Sequence, residues 1–178
     1  MPRTAESMKQ RQMIGQEIYL RAKRQQDKGD LKSGFRLLLT AAKLGDPGAQ
    51  LSLGYTYDVG RGVRRNRAAA MHWYEKAYRS QRGWGIAASN IATIFRDEHK
   101  YPEAIRWFRR GVRYGDVDAN LDLAKIYLKN PRQQDKAVAC LKDILKATPP
   151  IGVGEDTQRE ARKLLKQIEK RILTKVNQ

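Results

Sequence analysis

Cysteine is almost missing from this chain: Cys140 stands alone among 178 residues. That excludes an internal disulfide and fits a reducing compartment, so a cytoplasmic location is expected. Histidine is nearly as scarce, with only His72 and His99, and neither belongs to an H-x-x-x-H or C-x-x-C spacing. A metal centre needs several converging ligands, so no metal and no cofactor is expected. No apolar run approaches the ~18 residues that cross a bilayer. The stretch from Met1 to Gln16 has basic residues but no apolar core after them, which argues against a secretory signal. Acidic side chains are also short in number, 19 against 36 Lys and Arg, which leaves a formal charge of +17.

That surplus is uneven. Residues 34–115 carry +9 and residues 116–150 only +1, with +4 before them and +3 after. The charge therefore belongs to the folded part rather than to a tail. A folded basic face attracts nucleic acid or an acidic protein.

What the chain has in abundance is helical periodicity. Small residues fall at Gly34, Ala70, Ala104 and Ala137, spaced by 36, 34 and 33. Four residues on stand Leu38, Tyr74, Phe108 and Leu141, and three further Ala41, Ala77, Gly111 and Ile144. Spacings of i, i+4, i+7 place each trio on one helix face. A second series, Leu53-Gly54, Ile91-Ala92 and Leu123-Ala124, leads to Tyr57, Phe95 and Tyr127. Each period thus reads as two helices, a first (A) and a second (B). Gly45-Asp46-Pro47, Gly115-Asp116 and Thr148-Pro149-Pro150 end B helices, and Asp46 and Asp116 can each cap the helix that follows. Helices are expected near 5–28, 31–44, 47–58, 67–80, 84–97, 102–114, 117–129, 134–147 and 156–175. No strand and no βαβ unit is expected.

The stretch AQLSLGYTYDVGRGV, from Ala49 to Val63, resembles the Sel-one-like repeat, a relative of the tetratricopeptide repeat. Ala49, Leu53, Gly54, Tyr57, Gly60, Gly62 and Val63 match its pattern, followed by Ala70, Trp73, Tyr74 and Ala77. Residues 15–46, 83–115 and 117–148 are looser copies. The resemblance implies an all-α, right-handed α-solenoid of about four antiparallel helix pairs spanning residues 1–148. Residues 149–178 are expected to form a C-terminal capping helix on the repeats, with Ala161, Leu165, Ile168 and Ile172 as its apolar stripe.

Catalytic chemistry finds little to stand on. Asp97 and Glu98 form an acidic pair on a turn, Cys140 precedes core Leu141, and the glycine-bearing loop Pro150 to Gly154 lacks the G-K-[ST] of a phosphate loop. Nothing resembles a Ser–His–Asp or Cys–His arrangement, so no enzyme is expected.

Binding surfaces are more promising. By similarity to tetratricopeptide units, the concave A-helix face would present Leu51, Tyr55 and Asp58, then Ser89, Thr93 and Arg96, then Leu121, Lys125 and Leu128. Leu51 and Leu121 would equally suit packing between repeats. Arg61, Arg64, Arg65 and Arg67 crowd the A-to-B loop of the best repeat, and Arg106, Arg109, Arg110 and Arg113 line helix 102–114. Guanidinium groups grip carboxylate or phosphate with paired hydrogen bonds, although a merely solvated basic face would look the same.

The resemblance implies a non-enzymatic protein–protein adaptor. The charge points to an acidic partner, and one version is a cytosolic inhibitor (an immunity protein) or accessory protein for a toxin or effector. The alternative is an RNA-binding helical repeat, with Trp84, Tyr101, Trp107 and Tyr114 stacking on bases beside arginines.

Overall fold

The computed structural model describes residues 5–80, 84–147 and 154–176. Thr148-Pro149-Pro150 and most of the loop from Pro150 to Gly154 lie outside them. The described residues form nine α-helices: α1 (Ala5–Asp27), α2 (Leu31–Leu44), α3 (Pro47–Val59), α4 (Arg67–Ser80), α5 (Gly85–Asp97), α6 (Tyr101–Arg113), α7 (Ala119–Tyr127), α8 (Gln134–Lys146) and α9 (Glu155–Val176). They contain no strand. Neighbours in sequence pack as neighbours in space: α1 on α2, α3 on α4, α5 on α6, α7 on α8, with each pair stacked on the next and α9 on α8. This is an α-solenoid, in which each pair hides the apolar face its neighbour cannot bury alone.

Local chemistry fixes the joints. Asp30 accepts the Ser33 N–H at 3.0 Å at the start of α2, and Asp46 accepts the Ala49 N–H at 2.6 Å at the start of α3. Pro47 occupies the first turn of α3, where its missing N–H costs nothing. Gly60 and Gly62 turn the A-to-B loop at φ of 76° and 74°, a backbone region that disfavours side chains. The expected helix over 117–129 is shorter than its pattern. It begins at Ala119, directly after Asp118, whose side chain makes no cap hydrogen bond. The Asp116 carboxylate accepts the Ala119 N–H, and its carbonyl lies 3.3 Å from the same nitrogen, so Asp116 caps the turn that leads into the helix.

All twelve residues of the B-helix series are buried, from Gly34 to Ile144. Leu38, Leu53 and Trp73 anchor one end of the core, Tyr74, Ile91 and Ile94 the middle, and Phe108, Leu123, Leu141 and Ile144 the other end. The small A-helix residues are there for contact. A methyl group on Gly54 would stand 2.5 Å from the Tyr74 ring, so only glycine lets α3 and α4 cross this closely. Ala161 and Ile168 of α9 join the last cluster, and Leu165 packs partly against it. Ile172 does not, and is 47% exposed. The reason is length: 22 residues of α9 run about 33 Å, against about 20 Å for the 13 of α8, so its last turns border the turn between α7 and α8, at Leu128 and Pro131, rather than the core cluster.

Candidate functional site

The A-helix side is crossed by a chain of ion pairs. Asp58, at the end of α3, receives the Arg65 Nε–H on its carbonyl at 2.6 Å and has the Arg67 Nε 3.9 Å from its carboxylate. Arg67 opens α4 and reaches Asp97 of α5 at 2.7 Å. Asp97 also holds Arg96 at 3.0 Å, and Arg96 extends to Asp122 of α7 at 2.5 Å. Charges of alternating sign thus link α3, α4, α5 and α7. Farther on, Lys125 of α7 meets Glu160 of α9 at 3.0 Å. Burial works against the Arg96 charge, but the carboxylates of Asp122 and Asp97 outweigh it and hold the guanidinium more firmly protonated than usual.

Of the nine concave-face residues, Arg96 and Lys125 therefore tie one helix pair to the next, and Asp58 holds the A-to-B loop and the start of α4 within its own repeat. Leu51, Leu121 and Leu128 are half-buried against the core clusters. Ser89 is packed on Gly111, where even a β-carbon would collide with its hydroxyl oxygen, and Thr93 is half-buried. Tyr55 is the one aromatic or apolar residue of the nine with a large exposed surface, 53%.

The eight arginines do not form one patch. Arg65 and Arg67 belong to the ion-pair chain. Arg106 lies 3.5 Å from Glu103 on its own helix, and Arg110 covers the Trp107 ring at 4.5 Å. Arg61, Arg64, Arg109 and Arg113 are exposed and have no carboxylate partner among the described residues.

Arg109 and Arg113 lead to a groove of about 490 Å³ between the B helices α6 and α8, floored by α7. Lys136 stands on its other wall, with its Nζ 5.8 Å from the centre of the Tyr127 ring. Cys140 lies in the groove wall one turn on, and burial, reinforced by Asp143, pushes its thiol above the usual range. It is therefore a neutral, poorly nucleophilic thiol. Asp143 itself sits 3.7 Å from Lys146.

Sequence reasoning missed this groove, although its signal was in the repeat register. The residue before Tyr74 is Trp73, before Phe108 Trp107, and before Leu141 Cys140. Between α4 and α6, the indole of Trp107 fills the space edge-on to Tyr78 at 5.2 Å, and Tyr78 in turn meets Tyr114 at 6.2 Å. Between α6 and α8, cysteine stands where the indole would be, and the space stays open.

Of the four aromatic rings weighed as base-stacking surfaces, Trp107 and Tyr101 are engaged within the fold, whereas Tyr114 is 48% exposed. Trp107 is covered by Arg110 and Tyr78, and the Tyr101 hydroxyl takes a hydrogen bond from Lys129 at 3.0 Å and lies 3.0 Å from His99 Nδ1. No group of three or more His, Cys, Asp or Glu side chains among the described residues could hold a metal ion. No helix among them is long and apolar enough to cross a membrane.

Comparison with known proteins agrees with this architecture. The Sel1 repeat family pattern matches residues 13–46, 47–81 and 93–116. The fourth pair, α7 and α8, lies outside the matched residues although it stacks as the others do. The chitin synthase regulator SKT5 of Saccharomyces cerevisiae is 36% identical over 81 residues, 43% of this chain. A component of an ERAD-associated E3 ubiquitin-protein ligase of Arabidopsis thaliana, HRD3B, is 28% identical over 109 residues, 57% of this chain. The chain spans only 12% and 16% of the length of these two relatives. In fold, it is similar to a Sel1 repeat protein from Oxalobacter formigenes, with a TM-score of 0.63 and 21% identity over 88% of this chain and 73% of that one.

Proposed function

This chain belongs to the Sel1 repeat family, and from that premise we propose that it is a non-catalytic adaptor that holds an acidic protein partner. Sel1 repeats mediate protein–protein interaction, and repetition gives them extended surfaces rather than enclosed reaction chambers. The observation that carries the acidic partner is the set of exposed, unpaired arginines Arg61, Arg64, Arg109 and Arg113 on a chain of net charge +17. Carboxylates of a partner would supply the counter-charges that these four do not find among the described residues. The binding surface in this reading is chiefly the basic outer side, with Tyr55 as the exposed anchor on the A-helix side.

A cytosolic inhibitor or accessory protein of an acidic effector is the form that best suits a small basic solenoid. Affinity capture with the tagged chain from its native cells, followed by reconstitution from purified components, tests the proposal. The expected result is a stoichiometric acidic protein whose affinity falls as salt rises. Recovery of RNA instead, bound more tightly than about 10⁻⁶ M at near-physiological salt, would establish the nucleic-acid alternative. For the effector version, co-expression should relieve the partner's toxicity; unrelieved toxicity with a stable complex would leave an adaptor that is not an inhibitor.

A further inference from the structure

We infer that the α6–α8 groove is a docking site for an acidic segment of a partner protein, which seats a large aromatic side chain where the indole is missing. The inference rests on the acidic-partner reading and specifies where and how that partner is held.

Three observations converge on it. The first is the vacancy in the repeat register. Trp107 closes the groove between α4 and α6, while the matching position, Cys140, leaves the next groove open. Its floor is apolar, from Leu123 and the Tyr127 ring, so it suits an apolar anchor.

The second is charge. Arg109 and Arg113, one turn apart on α6, face Lys136 across the opening, and none of the three has an ion-pair partner among the described residues. A cationic rim around an apolar floor calls for a segment with carboxylates flanking its anchor.

The third is Asn120. It is 95% buried and lines the groove. The equivalent residue in the second matched repeat is Gln50, which donates to the Ala42 carbonyl at 3.3 Å and accepts from Ser80 at 2.9 Å. At the fourth pair the side chain is one carbon shorter, and Ala147 stands in the register of Ser80. The amide of Asn120 is thereby left to bond an extended backbone lying in the groove.

The phosphates of RNA would also meet the rim, but an apolar floor with a half-buried thiol favours a peptide. The test uses the full chain and a fluorescein-labelled heptapeptide of Asp and Glu with a central Trp. A peptide with Ala at the centre and a single-stranded RNA of similar charge serve as competitors, and fluorescence anisotropy is read at near-physiological salt. The Trp peptide should bind with a dissociation constant on the order of 10 µM, and the Ala peptide about ten-fold more weakly. Cys140→Trp, which fills the groove from within, should weaken the Trp peptide about ten-fold, as should the pair Arg109→Glu and Arg113→Glu. Lys32→Glu with Lys43→Glu, exposed on α2 at the other end of the solenoid, should change it by less than about two-fold. Lys136→Glu is exposed and leaves the fold intact, so it repeats the test should Cys140→Trp lose its helical circular dichroism. The bound peptide should also shield Cys140, the chain's one thiol, from alkylation at mildly alkaline pH.

If both peptides bind alike, or groove variants bind as well as wild type, the docking site is overturned while the acidic-partner reading stands. If no acidic peptide binds, both fall. If RNA displaces the peptide and shields Cys140 better, the groove belongs to nucleic acid and the inference is wrong.

Discussion

On the A-helix side, Arg67 and Arg96 share the carboxylate of Asp97 and reach on to Asp58 and Asp122. On the B-helix side, Arg109 and Arg113 meet no carboxylate among the described residues and border an open groove. The same side chain therefore has two roles in one solenoid. The paired arginines are about two-thirds covered, and their charges tie consecutive repeats together. The unpaired ones stand in water and contribute to the field outside. A net charge of +17 conceals this division, in which Asp58, Asp97 and Asp122 neutralise arginines on the inner side while Arg109 and Arg113 remain on the outer.

The largest contrast lies between adjacent residues of α8. Leu141 is fully buried in the last core cluster, whereas Cys140 is half-buried in the groove wall. Leu141→Ala should cost about 3 kcal/mol and lower the melting temperature by about 6–12 °C. Cys140→Ala should cost under about 1 kcal/mol. Thermal melts of the two variants decide it. Comparable losses would mean that the groove wall is part of the core, and the division between supporting and available surface would collapse at this point.

Next in size is the inner tie. Asp97→Asn keeps the shape of the side chain but leaves Arg67 and Arg96 with one carboxylate each. These side chains are about one-third exposed, so solvent softens the penalty that a fully buried pair would show. A loss of about 1–2 kcal/mol is expected, shrinking as salt is added. A loss unaffected by salt would point to packing or hydrogen bonding rather than charge as the bond between repeats.

How much of this could be read in the chain follows from the range of each interaction. The trio Ala104, Phe108, Gly111 and its counterparts are written at helical spacing, and a small residue at a crossing has few other uses. The helices and their stacking were therefore legible. Asp97 was legible only as a turn residue, because its partner Arg67 lies thirty positions earlier and no local pattern joins them. Arg110 was grouped with Arg106 and Arg113 by spacing alone, whereas the Trp107 face claims it. The groove was legible in principle, since Cys140 stands in the register of Trp73 and Trp107. It takes the adjacent groove of the same chain, with Tyr78 against Trp107, to show what that register position does. The exposure of Ile172 depends on the relative lengths of α8 and α9, which no apolar stripe reveals.

The smallest effects draw the sharpest line. Lys125 and Glu160 form an ion pair between α7 and α9, but both side chains are about 45% exposed. Water screens such a pair and its geometry costs side-chain entropy, so Lys125→Ala should lose at most about 0.5 kcal/mol. Arg113→Glu removes no ion pair and lowers the net charge by two, which relieves self-repulsion. Its stability should stay within about 0.5 kcal/mol of wild type, on the favourable side at low salt. Urea titrations of both variants at low and high salt measure the two signs directly. Added salt should erase the Lys125→Ala loss and the Arg113→Glu gain alike. If Arg113→Glu proves the more destabilising of the two, Arg113 is a structural residue of the inner kind, and the outer face loses one of the charges that a partner would need.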